Sequence, residues 1–136
     1  MDRKPQSPLQ DKDVARLVVL VEDEESVRKY IWHLLTSQGY FVTSFSNASD
    51  ALKWVVSIEC KVPLMITDIR LPGMSGKELA DEVCRLKPDT KILFITASSP
   101  YSLEELNPCS NQDGKLLGKP FSAPELLERV NKICGF

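Results

Sequence analysis

The chain has one histidine, no C-x-x-C pair, no basic stripe and no apolar run long enough to cross a bilayer. Each absence removes a class of function. Cys60, Cys84, Cys109 and Cys134 lie far apart, and with His33 as the single histidine there is no zinc-type ligand set. The four cysteines read as reduced structural thiols. The longest apolar runs fall far below the roughly 18 residues of a membrane span, and charges and prolines stand where a signal peptide would place its apolar block. A cytoplasmic protein without membrane contact is expected. A formal net charge of -2, with 26% charged residues, argues against nucleic-acid binding and against a disordered chain. His33, in "YIWHLL", reads as a partly exposed helix residue, and Trp32 and Trp54 read as packing residues on amphipathic helices.

What is present suffices for one domain with a full core, since 136 residues are too few for two ordinary ones. Residues 1–15 (MDRKPQSPLQDKDVA) are polar, carry Pro5 and Pro8 and show no apolar period, so they read as a disordered tail or linker. From residue 16 onward, strand-like runs alternate with amphipathic ones. The runs fall at Leu17 to Val21, Tyr40 to Phe45, Leu64 to Thr67, Ile92 to Thr96 and Lys115 to Gly118. Between them, "SGKE" (Ser75 to Glu78) and "SAPE" (Ser122 to Glu125) carry the S-x-x-E pattern that caps helix starts, and Asn47 with Asp50 is a weaker version. Strict alternation of this kind predicts a parallel sheet covered by helices on both faces, joined by right-handed crossovers. The segment 98–114, with Pro100 and Pro108, fits a regular helix badly, so the fourth helix is expected to be short or irregular.

In open parallel sheets, ligands bind beyond the carboxyl ends of the strands. "VVLVEDEE" drives an apolar strand into four consecutive acids, a costly placement unless a cation comes to the site. The strand ends also contribute Asp68, Thr96 and Lys119. Three carboxylates, a hydroxyl and an ammonium form a coherent set: Mg²⁺ favours one or two carboxylates together with a phosphate oxygen. A carboxylate can itself attack phosphorus when metal and lysine neutralise the transferring group. Asp68 is the candidate nucleophile, because "ITDIRLPGMSG" lifts it from a buried strand into a Pro/Gly loop. Any one of these residues alone would be an ordinary surface side chain.

Taken together, Glu22 and Asp23 in "VVLVEDEE", Asp68 in "MITDIRLPGMSG", Thr96 in "ILFITA" and Lys119 with Pro120 in "LLGKPF" resemble the receiver domain of two-component response regulators. The resemblance spans about residues 16 to 134. It implies a flavodoxin-like (βα)₅ three-layer sandwich with a five-stranded parallel sheet of order 2-1-3-4-5, the receiver occupying 16–136. It also implies phosphorylation of Asp68 by a histidine kinase or histidine phosphotransfer protein. Glu22, Asp23, Asp68 and the backbone carbonyl of Arg70 would hold Mg²⁺, Lys119 would contact the phosphoryl group, and Thr96 would be the switch hydroxyl. The Lys119–Pro120 bond is expected to be cis. Leu116 stands three positions before the lysine, where the family often has an aromatic switch residue. "DG" at Asp113 and Gly114 replaces the commoner "GA".

The implied protein is a signalling domain, catalysing only its own aspartyl phosphorylation and dephosphorylation. It would pass its signal to an unidentified downstream protein, as a monomer or weak dimer, or be a piece of a hybrid kinase. The alternative is a degenerate receiver acting as a phosphorylation-independent scaffold. An aspartate-nucleophile phosphohydrolase would want a second acid two residues past the nucleophile, where this chain has Arg70.

Overall fold

The computed structural model describes residues 11–97 and 115–135. Five strands, β1 (Leu17–Val21), β2 (Phe41–Phe45), β3 (Leu64–Asp68), β4 (Lys91–Thr96) and β5 (Lys115–Gly118), form one sheet. Its order is β2-β1-β3-β4-β5 and every pairing is parallel. Helices α1 (Asp11–Ala15), α2 (Glu25–Ser37), α3 (Ala48–Ser57), α4 (Gly76–Leu86) and α5 (Ala123–Cys134) complete the described elements. The order expected from the resemblance is the order found.

The strands explain the layering. All five residues of β1 are buried, as are all five of β3. Because side chains alternate across a strand, Leu17, Val19 and Val21 enter one core while Val18 and Leu20 enter the other. The first core is closed by Ala48, Ala51 and Val55 of α3 with Leu79, Ala80 and Val83 of α4. The second is closed by Ile31 and Leu35 of α2 with Leu126, Val130 and Ile133 of α5. A strand with both faces covered can be apolar throughout, which is why these runs read as continuous rather than alternating. β2 lies at one edge and is only partly buried.

Helix starts follow the serine signals. Ser75 and Ser122 each accept from the backbone N–H of the glutamate three residues on, and Glu78 and Glu125 each accept in return from the serine N–H. Asn47 accepts from the Asp50 N–H. Gly39, at φ +92°, turns the chain out of α2 in a conformation that L side chains rarely adopt.

Several expectations need amendment. Asp11–Ala15 is a short helix rather than part of a loose tail; residues 1–10 lie outside the described residues, as does 98–114, the segment expected to be irregular. Cys60 and Cys134 are free thiols, but Cys84 is disulfide-bonded, against the expectation of reduced cysteines throughout. Sequence spacing does not say which thiols topology brings together. Trp54 packs on Phe45 with ring centroids 6.0 Å apart, whereas Trp32 is exposed with its edge on the exposed His33. Trp32 lies outside the Ile31–Leu35 stripe that faces the core. No helix among the described residues is long and apolar enough to cross a membrane.

Candidate functional site

The carboxyl ends of β1, β3, β4 and β5 open onto one acidic cleft. Glu22 continues β1 past its last residue, its N–H donating to the Phe45 carbonyl at 3.0 Å, and its side chain is completely buried. Glu22 Oε2 accepts from the Glu24 N–H at 3.0 Å, and Arg28 Nη1 of α2 donates to the Glu22 carbonyl at 2.8 Å. Asp23, next in the chain, is exposed. Asp68 closes β3 and is nearly buried. One carboxylate oxygen from each of Glu22, Asp23 and Asp68 lies within 4.8 Å of the others.

Lys119 crosses from the end of β5 into this cluster. Its Nζ donates to Asp68 Oδ2 at 2.9 Å and stands 3.0 Å from Glu22 Oε1. The second contact is a charge pair, and Glu22 Oε1 is buried with no hydrogen-bond donor among the described residues. The Lys119 N–H donates to the Thr96 carbonyl at 2.8 Å, which ties β5's exit to β4's end, and the Lys119–Pro120 peptide is cis, as expected. Thr96 is buried one position past Ile95, the residue that pairs with Asp68.

The electrostatics are those of a site short of positive charge. Burial pushes the Glu22 carboxyl up to about 7, the Asp68 charge adds to this, and the Glu24 amide and Lys119 only partly offset it. Burial alone would lower the Lys119 ammonium, but the hydrogen bond to Asp68 and the charges of Glu22 and Asp68 outweigh it and hold it above its ordinary value. Glu22 and Asp68 thus share one lysine among the described residues, with the Asp23 carboxylate beside them. Such a cluster fits a hard divalent cation, which would supply the missing charge to oxygen ligands.

The structure therefore gathers Glu22, Asp23, Asp68 and Lys119, with Thr96 at the neighbouring strand end. Arg70, two residues past Asp68, has an exposed side chain. Leu116 pairs with Phe94 across β4 and β5 and packs against the α3/α4 core, while its carbonyl accepts from Arg129 at 2.8 Å. Three residues that touch the site went unread in the sequence: Arg28, Thr67 and Gly76. The one available signal was that "SGKE" places a glycine, a poor helix former, immediately after a serine cap. Beside Lys119 lies an open apolar cavity of about 330 Å³ lined by Val27, Tyr30, Ala97, Pro120 and Phe121.

The family model described as "Response regulator receiver domain" matches residues 18–131. The response regulator receiver protein CpdR of Brucella abortus is 36% identical over 118 residues, covering 85% of this chain and 94% of that protein. The sensor kinase CckA of the same organism is 30% identical over 116 residues, but these are 85% of this chain and 12% of the kinase. Among solved structures, the response regulator TrrA of Thermotoga maritima, in complex with Mg²⁺-BeF, superposes with a TM-score of 0.75 at 32% identity. That match covers 87% of this chain and 98% of TrrA. This chain thus spans nearly all of some relatives and a small part of others.

Proposed function

This chain belongs to the response regulator receiver family, and from that premise we propose that it accepts a phosphoryl group on Asp68, in a Mg²⁺-dependent reaction, from a histidine kinase or histidine phosphotransfer protein. Receiver domains are signalling domains rather than turnover enzymes. The observation that carries the proposal is the convergence of three carboxylates and one lysine, from three separate segments, on a single cleft. Residues 16–136 form the receiver unit in this reading.

A carboxylate oxygen of Asp68 attacks phosphorus; the O–P bond forms as the donor's P–N bond breaks, and the electron pair leaves with the imidazole nitrogen. Glu22, Asp23, Asp68 and the Arg70 carbonyl would hold Mg²⁺, which would supply positive charge to the transferring phosphoryl group. Lys119, already 2.9 Å from Asp68, stabilises the same charge from the β5 side. The buried Thr96 hydroxyl then turns toward a phosphoryl oxygen, coupling β4 to the modified state. The apolar wall of Val27, Tyr30 and Phe121 beside Lys119 suits a donor protein that brings its histidine over the cleft.

Acetyl phosphate with Mg²⁺, followed by mass mapping, should give one adduct on Asp68. Asp68→Asn and metal chelation should each abolish it. The TrrA complex contains Mg²⁺-BeF, and beryllofluoride should likewise bind here only with Mg²⁺. No adduct and no Mg²⁺-dependent beryllofluoride binding would leave a phosphorylation-independent scaffold as the reading.

A further inference from the structure

The backbone carbonyl of Asp68 is enclosed on two sides. The Thr67 hydroxyl, fully buried, donates to it at 2.9 Å. On the other side Gly76, the first residue of α4, comes so close that a Cβ there would lie 1.8 Å from the Asp68 carbonyl oxygen and 3.0 Å from Thr67 Oγ1. Gly76 has no positive φ, so close approach, not backbone freedom, is what requires glycine here. The Gly76 N–H also donates to the Ile69 carbonyl at 2.8 Å. The Asp68 carbonyl is thus held by Thr67 and packed by Gly76, and the Ile69 carbonyl is held by the first N–H of α4.

We infer that Thr67 and Gly76 are positioning residues, a clamp on the Asp68 carbonyl that aims the aspartate at its donor. The inference rests on the reading of Asp68 as phosphoacceptor. The 68–69 peptide is where β3 gives way to the loop bearing Arg70: its N–H donates to the Ile95 carbonyl at 3.3 Å, and Thr67 fixes its carbonyl end, so that Asp68 sits at the strand end in one orientation. A buried threonine beside the nucleophile is otherwise poorly placed. Its hydroxyl costs free energy in an apolar strand unless it is bonded, and a valine would fill the same volume without that cost. Neither residue touches the phosphoryl group; both act through Asp68.

The test compares wild type with Thr67→Val, Thr67→Ser and Gly76→Ala, measuring acetyl phosphate labelling rate with Mg²⁺, melting temperature and the Ile69 amide resonance, whose N–H belongs to the clamped peptide. In Thr67→Val, labelling should slow about ten- to a hundredfold in a protein that still melts cooperatively, and the Ile69 resonance should move. Thr67→Ser should restore both. Gly76→Ala should slow labelling at least as much. A Thr67→Val protein that labels at the wild-type rate, or a serine variant that does not rescue, overturns the inference. Absence of labelling in wild type itself would strike at the phosphoacceptor reading instead. The Ile69 resonance would then decide the clamp alone: unmoved in Thr67→Val, it refutes it.

Discussion

Replacing Glu22 by glutamine should remove most of the pH dependence of stability near neutrality in metal-free protein. Glu22 is wholly buried, and its carboxyl is raised from 4.5 to about 7 chiefly by desolvation. A raised acid binds its proton more tightly in the folded than in the unfolded state. Stability is therefore greatest below the unfolded value and falls as pH rises through the folded one. Between about pH 5 and about pH 7.5 a shift of this size corresponds to about 2 kcal/mol lost, or roughly 5–8 °C in melting temperature for a chain of this length. Lys119 is charged throughout that window and its attraction is already included in the shift. The assay is urea unfolding in chelator at several pH values, with wild type and Glu22→Gln in parallel. Wild type should lose stability across the window while the variant stays nearly level. A variant with the wild-type slope, or a wild type that gains stability toward neutral pH, would show that Glu22 is not held as an uncompensated buried acid.

Lys119→Met should destabilise metal-free protein by about 2–3 kcal/mol in urea unfolding, because it strands Glu22 and Asp68 without their shared counter-charge; an unchanged midpoint would count against the pairing. Mg²⁺ at about ten times its dissociation constant should add about 1.4 kcal/mol to wild type, seen as a higher melting temperature. The gain should be lost when Asp23 and Asp68 are both changed to asparagine. Ser122→Ala breaks the reciprocal cap with Glu125 and should cost about 1 kcal/mol, with acetyl phosphate labelling unaltered, since α5's cap lies outside the acid cluster.

How much of this was legible beforehand varies by element. The buried strands announced themselves, since short β-branched apolar runs such as "LVVLV", alternating with amphipathic ones, fit a sheet covered on both faces. The two serine caps were equally plain, because a capping box is a local device with a local pattern. Glu22, Asp23, Asp68, Thr96 and Lys119 could be picked out as strand-end residues. Arg28 and Thr67 could not. Arg28 acts through the Glu22 carbonyl six residues away, and Thr67 through its neighbour's carbonyl; backbone acceptors leave no mark in a sequence. Trp32 was misjudged for a related reason. A helix stripe shows which residues can face a core, but the 13 residues of α2 carry more apolar surface than the second core covers.

By itself, then, the amino-acid order determined the alternation of strand and helix, the helix starts and the inventory of charged groups at the strand ends, because each depends on neighbours a few positions apart. Only the tertiary structure decided that Glu22 would be sealed from water with one shared lysine. It also decided that Gly76 would press against the carbonyl of Asp68, eight positions earlier. Desolvation and close backbone approach are properties of what surrounds a group in space, and the parallel crossovers draw those surroundings from segments that have no contact along the chain.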